Sequence, residues 1–193
     1  MRSIYDILDL YSKYGKIDKA QYHLNLLGVR HADKVDIFDD ELYYFWTDGV
    51  KIQYTALANG FTTDPGKYYL NNPMNSKGCA ILKEGWYPNV WVKGKHNGKY
   101  NALIQRGAKF TVYRDTNKDD KFDFNGPLDT GYFGINLHRA SQYYTVTTVN
   151  NYSAGCQVIA DPNKFNALMQ CVDKAGVYGQ SYFSYLLLDS KKL

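Results

Sequence analysis

Cys156 and His138 are the side chains of this sequence whose types and setting combine into a reaction. A thiol becomes a strong nucleophile as the thiolate, and an imidazole is the base that commonly makes it one. His138 closes the run Gly134-Ile135-Asn136-Leu137-His138, which reads as a short buried strand. Cys156 follows the small-residue turn Tyr152-Ser153-Ala154-Gly155 and leads into the apolar Val158-Ile159. Two adjacent strand ends would bring imidazole and thiol together. The tight turn would aim the backbone N–H groups of Ala154, Gly155 and Cys156 at one point, an oxyanion hole. Arg139, beside the base, suits a substrate carboxylate, and Ser153 and His96 are further candidates for substrate contact. His96 sits in the hairpin-like Gly94-Lys95-His96-Asn97-Gly98-Lys99, where the alternative is an exposed turn histidine. An arbitrary Cys and His are more often a small buried hydrophobe and a satisfied histidine. The glycine turn is what favours chemistry here.

The same segment resembles the catalytic motif of the L,D-transpeptidases, in which a histidine is followed by Ser/Thr-His-Gly-Cys. His138 precedes Cys156 by 18 residues, a spacing that suits the family. A second element, Ala58-Asn59-Gly60-Phe61-Thr62-Thr63-Asp64-Pro65-Gly66-Lys67-Tyr68, stands where the family has Thr-Pro-Thr-Gly-aromatic. The resemblance covers roughly residues 50 to 160 and is carried by the two elements together. It implies a cysteine acyl-enzyme mechanism on peptidoglycan stem peptides, by transpeptidation or hydrolysis. It also implies that a backbone carbonyl near Arg139 orients the imidazole, and that no cofactor is required. Ala154 stands in place of the motif histidine, and Gln157-Val158 replaces the Arg or Asn expected after the cysteine. The first change favours the competing reading, a non-catalytic cell-wall or glycan-binding protein, or a phage structural protein, that kept the fold.

Asp115, Asn117, Asp119 and Asp123 place oxygen side chains at positions one, three, five and nine of a loop. That matches the front half of a calcium loop, where hard oxygen ligands alternate around the ion. Asp120 replaces the glycine of position six and Gly126 the acid of position twelve, so a solvated acidic turn is the alternative. No His-x-x-x-His or Cys/His ligand set indicates zinc, and no phosphate-binding glycine loop or Gly-x-Ser-x-Gly elbow is present.

The three cysteines, Cys79, Cys156 and Cys171, form neither a disulfide framework nor a Cys-x-x-Cys pair. Cys79 reads as packed in a strand, and Cys171 as part of a helix face. A net charge of +4 without a dense Lys/Arg cluster argues against nucleic acid and suits an anionic wall polymer. The opening Met1-Arg2-Ser3-Ile4-Tyr5-Asp6 is not a signal peptide, and no apolar run spans a membrane. The expectation is a monomer made in the cytoplasm that reaches the wall after lysis or as part of a phage particle.

Nineteen tyrosines among 16% aromatic residues favour strands. Ile4, Ile7, Leu8, Leu10 and Tyr11 recur at helical spacing up to Gly15, and Asp161-Pro162 starts a second helix with Phe165, Leu168, Met169 and Val172 on its apolar face. Between them, strands are expected at 42–46, 49–58, 67–70, 79–82, 90–93, 100–105, 110–114, 132–138 and 143–149. Gln21 to Val29 reads as amphipathic or β-prone, 30–36 as a loop, and 181–189 as a closing strand. The expected fold is β-rich α+β, a single L,D-transpeptidase-like mixed sheet over residues 41–193, with 1–40 a helical or extended segment packed on it.

Overall fold

Strands buried on one face alternate apolar and polar residues, whereas strands covered on both faces read as continuous apolar runs. Three neighbouring strands of the chain are of the second kind. β1 (Asn25–Arg30) is buried along its whole length, β2 (Asp40–Thr47) over most of it, and β11 (Phe183–Asp189) likewise. Leu26, Leu42, Tyr44, Tyr185 and Leu187 join the main core. Their neighbours Leu27, Val29, Tyr43, Phe45, Leu186 and Leu188 pack instead with Ile7 and Tyr11 of α1 (Ile4–Tyr14). The helix thus covers the outside of three strands whose other face fills the interior.

The computed structural model describes residues 2–31 and 34–193; Ala32 and Asp33, within the expected 30–36 loop, lie outside the described residues. The remaining elements are β3 (Ile52–Thr62), α2 (Lys67–Asn71), β4 (Cys79–Leu82), β5 (Gly85–His96), β6 (Tyr100–Gln105), β7 (Phe110–Asp115), β8 (Leu128–Gly131), β9 (Leu137–Arg139), β10 (Gln157–Ile159) and α3 (Pro162–Val177). Eight strands close a barrel in the order β1-β11-β5-β6-β9-β10-β3-β2, and β4-β7-β8 form a separate sheet. The α+β, β-rich class expected from the aromatic content is the one observed. The boundary expected at residue 40 falls inside the barrel, because β1 pairs antiparallel with β2 and parallel with β11.

Local chemistry sets the helix ends. Ser3 caps α1 through a reciprocal box with Asp6, and the Gly15 N–H donates to Tyr11 O. The Asp161 side chain accepts from Asn163 N at 2.8 Å, with Pro162 at the first helical position of α3. Phe165, Leu168, Met169, Val172 and Ala175 of α3 enter the main core. So do Ala80, Leu82, Phe110 and Val112 of the smaller sheet, which therefore packs against the barrel. Trp91 is fully buried, its ring 4.7 Å from Tyr185 and 5.8 Å from Phe110, and its indole N–H donates to Ile135 O at 2.8 Å. Each such side chain contributes about 1.5–3 kcal/mol by leaving water. The bond to Ile135 fixes the segment that leads into β9.

Three expected strands differ, the first being 132–138, of which only Leu137 and His138 fall in a strand, β9. Residues 67–70 lie in α2, a single helical turn entered from Gly66, whose carbonyl accepts from the N–H groups of Tyr69 and Leu70. Residues 143–149 form no strand beyond a bridge of Thr148 with Ile37. Tyr143 and Tyr144 there are 81% and 61% exposed, so their aromatic character does not mark a buried face.

Candidate functional site

β9 and β10 run parallel, with Leu137 opposite Gln157 and His138 opposite Val158. Side chains alternate across a strand, so Leu137 and Gln157 share one face while Asn136, His138, Cys156 and Val158 share the other. Gln157 anchors β10 from within: it is fully buried, accepts from Tyr185 Oη at 2.8 Å and donates to Thr63 O at 3.3 Å. The Gln157 N–H donates to Asn136 O at 2.8 Å, which extends the pairing to the residue beside the thiol.

His138 is buried, and its Nδ1 lies 2.9 Å from Arg139 O. A carbonyl accepts only, so Nδ1 carries the proton and Nε2 is left as the base. Tyr100 Oη donates to the same carbonyl at 3.1 Å. The His96 ring stacks on His138 with centroids 4.0 Å apart. Burial, and then the neighbouring His96, lower the His138 pKa to about 3, so the imidazole is neutral at ordinary pH.

The Cys156 thiol donates to Gly134 O at 3.5 Å and accepts from the Asn136 N–H at 3.5 Å. Burial pushes its pKa up to about 11, against the lowering effect of that N–H. Thiol and imidazole are thus both uncharged at ordinary pH.

The turn before the cysteine departs from expectation at two residues. Ser153 is fully buried; its hydroxyl donates to Cys156 O at 2.8 Å and accepts from the Gly155 N–H at 3.2 Å. It braces the turn and is not placed to touch substrate. The Gly155 N–H, expected among the oxyanion donors, is occupied by that hydroxyl, which leaves the N–H groups of Ala154 and Cys156 from the expected set. Gly155 has φ +115°, and a Cβ there would lie 2.3 Å from Ala80 O. Only glycine lets the turn press against β4 in that conformation. The Asp64-Pro65-Gly66 segment packs behind the same turn: the Gly66 N–H donates to Ser153 O at 2.8 Å, and a Cβ at Gly66 would lie 1.9 Å from Asn150 O.

His96 closes β5 and faces the site. Asn136 Oδ1 accepts from the Gln105 N–H at 2.9 Å, which orients the amide so that Nδ2 donates to His96 Nδ1 at 3.0 Å. Arg139 lies over the Tyr100 ring, 4.2 Å from its centroid, and donates to Gln142 Oε1 at 3.2 Å. Asn136 and Tyr100 were not singled out from sequence. Asn136 could have been found, since an asparagine between two buried apolar residues of a strand must share the face of His138.

Cys156, His138, His96, Arg139 and Ala154 line one cavity of about 900 Å³. Lys95, Lys99, Arg106 and Arg114 line it too, and the lining contains no Asp or Glu among the described residues. The walls therefore favour an anionic occupant. Tyr69, Tyr132, Phe133 and Tyr152 supply flat apolar surface around it. His23 and His31 are engaged elsewhere, with Asp18 at 2.8 Å and Glu41 at 3.0 Å. Cys79 is buried and Cys171 half-buried, both as free thiols.

The acidic loop lies between β7 and β8, apart from the thiol. Asp115 Oδ2 accepts from the Asp123 N–H at 3.1 Å, Asn117 Oδ1 from Asp119 N at 3.4 Å, and Asp119 Oδ1 from Lys121 N at 2.9 Å. Among the described residues, no three His, Cys, Asp or Glu side chains already stand grouped to hold a metal ion. Among the described residues, no helix is long and apolar enough to cross a membrane. No protein-family model, curated protein or solved structure matches the chain.

Proposed function

We propose that the protein is a cysteine acyltransferase or peptidase acting on the stem peptides of peptidoglycan. The observation that carries this reading is the parallel β9–β10 register, which sets His138 and Cys156 on one face at the wall of a basic cavity. The His138 tautomer, fixed by Arg139 O, leaves Nε2 to receive the thiol proton. The sulfur then adds to a peptide carbonyl, and the oxyanion is met by the N–H groups of Ala154 and Cys156. The imidazolium returns the proton to the departing amine, leaving a thioester. An incoming amine resolves the thioester by transpeptidation, water by hydrolysis. Lys95, Lys99, Arg106 and Arg139 around the thiol suit a peptide with free carboxylates.

A second reading, a wall- or glycan-binding protein without turnover, is favoured by one observation: the hydrogen-bond partners of the thiol are Gly134 O and the Asn136 N–H, neither of which takes its proton. Purified cell wall incubated with wild type and with Cys156→Ala separates the two. Release or exchange of peptides by wild type alone supports the enzyme. Equal wall binding by both, with no peptide released by either, supports the binding protein.

A further inference from the structure

Asp115 ends β7 and is only 1% exposed. Its Oδ2 accepts the Asp123 N–H from the far side of the β7–β8 loop, so the carboxylate faces the loop interior. Its Oδ1 is buried and has no hydrogen-bond partner. A buried carboxylate oxygen without a donor costs free energy that structures rarely leave unmet, and this one opens the loop that carries Asn117, Asp119 and Asp123. The loop's ion pair, Lys67 Nζ to Asp120 Oδ2 at 2.7 Å, lies outside this set. Asp120 also accepts from Asn71 Nδ2 at 2.8 Å, so this residue ties the loop to α2 and is turned away from the orphan oxygen.

We infer that the β7–β8 loop is a calcium site, ligated by Asp115 Oδ1, the side chains of Asn117, Asp119 and Asp123, and loop carbonyls. The donors are all hard oxygens, with no sulfur or imidazole, which selects calcium or magnesium over zinc. Calcium accepts six to eight ligands in flexible geometry, whereas magnesium demands a tight octahedron and keeps its waters. A loop whose acidic side chains stand apart before the ion binds suits the larger cation. Asp119 and Asp123 each hold one loop N–H, from Lys121 and Asn125; binding pulls their other oxygens inward.

The site would stiffen one wall of the cavity. Gly78 sits so close to Asp115 that a Cβ on it would lie 2.2 Å from Asp115 O. Arg114, adjacent to Asp115, donates to Gly78 O at 3.3 Å and to Asp129, and lines the cavity. An ion on Asp115 thereby secures the arginine that the β4–β7 edge presents to the cavity.

Thermal unfolding of the full chain in calcium chloride and in EDTA tests this. A ligand bound only by the folded state raises its melting temperature; in millimolar calcium a rise of about 5–10 °C is expected. Asp115→Asn and the more exposed Asp119→Asn should lose most of the rise, and Asp120→Asn should keep it. If Asp115→Asn fails to fold, Asp119→Asn carries the comparison alone. No calcium-dependent rise in wild type would overturn the site, as would a full rise in Asp119→Asn. These readouts are independent of wall activity.

Discussion

The imidazoles of His96 and His138 lie face to face, with planes 22° from parallel. Two cations cannot share that separation without strong repulsion, so protonation of either ring opposes the other. Burial and then His96 hold the His138 pKa at about 3. His96→Ala admits water and removes the second ring, so both causes weaken. The His138 ring resonances, followed by NMR against pH, should then titrate well above 3 and closer to the ordinary value of about 6.5. An unchanged midpoint would assign the depression to the rest of the pocket.

The thiol offers a second titration. With its pKa near 11, Cys156 should react slowly with iodoacetamide at pH 7 in the absence of substrate. Its rate should climb through pH 9 and 10, because the nucleophile is the thiolate. Peptide mapping at a series of pH values gives the profile. Fast labelling at neutral pH would show a preformed ion pair with His138. Under the proposed mechanism, turnover should be flat between the limits near 3 and 11, and His138→Ala combined with Cys156→Ala should be little worse than either alone.

Gly155→Val should cost about 3–4 kcal/mol of stability, from the disfavoured positive φ of a β-branched residue and from overlap with Ala80 O. Urea unfolding measures it. Ala154→Gly should cost far less, since it keeps both its N–H and the turn.

Inside the barrel, Arg30 Nε lies 2.8 Å from Asp64 Oδ1, and both side chains are nearly fully buried. Asp40 joins them, accepting the His31 and Thr63 N–H groups at 2.6 Å each. Desolvation, opposed by Arg30 and reinforced by Asp40, raises Asp64 to about 7. A carboxyl whose folded pKa exceeds its unfolded value of about 3.9 binds its proton more tightly when folded. Its stabilising contribution is complete below about pH 4 and is lost as pH rises towards 7. Asp64→Asn should flatten that slope in urea unfolding between pH 4 and 7. A slope that persists in the variant would place the titration elsewhere.

Much of this was legible along the chain where local chemistry decides the outcome. The helical spacing of Ile4, Ile7, Leu8, Leu10 and Tyr11, and the start at Asp161 with Pro162, mark helices that tertiary contacts did not override. The setting of Cys156 could be read because its turn is short and bounded by glycine, whereas His138 lies in the middle of the three-residue β9 and not at the end of a strand begun at Gly134. Arg30, Asp40 and Asp64 could not be, because a charged residue reveals nothing of a partner brought to it by barrel closure. Gln21 to Val29 was ambiguous, and Arg30 was assigned to a loop, for a related reason: covered by α1 outside and the core inside, β1 lacks the alternation that identifies a half-buried strand. The Gly155 N–H was misjudged because a serine two residues earlier can close a turn with its own hydroxyl.

β1 lies between β2 and β11, and its partnership with β11 joins residues 26–30 to residues 185–189. During synthesis, therefore, the first strand must wait for nearly the entire chain before its second edge is covered. The ribosome will release an open sheet with Leu26 to Val29 unpaired on one side, a surface that other nascent chains can join. Contacts of such sequence separation also slow closure. β11 is also bonded to β5, so a chain halted before Phe183 will leave β5 as well as β1 with one edge unpaired.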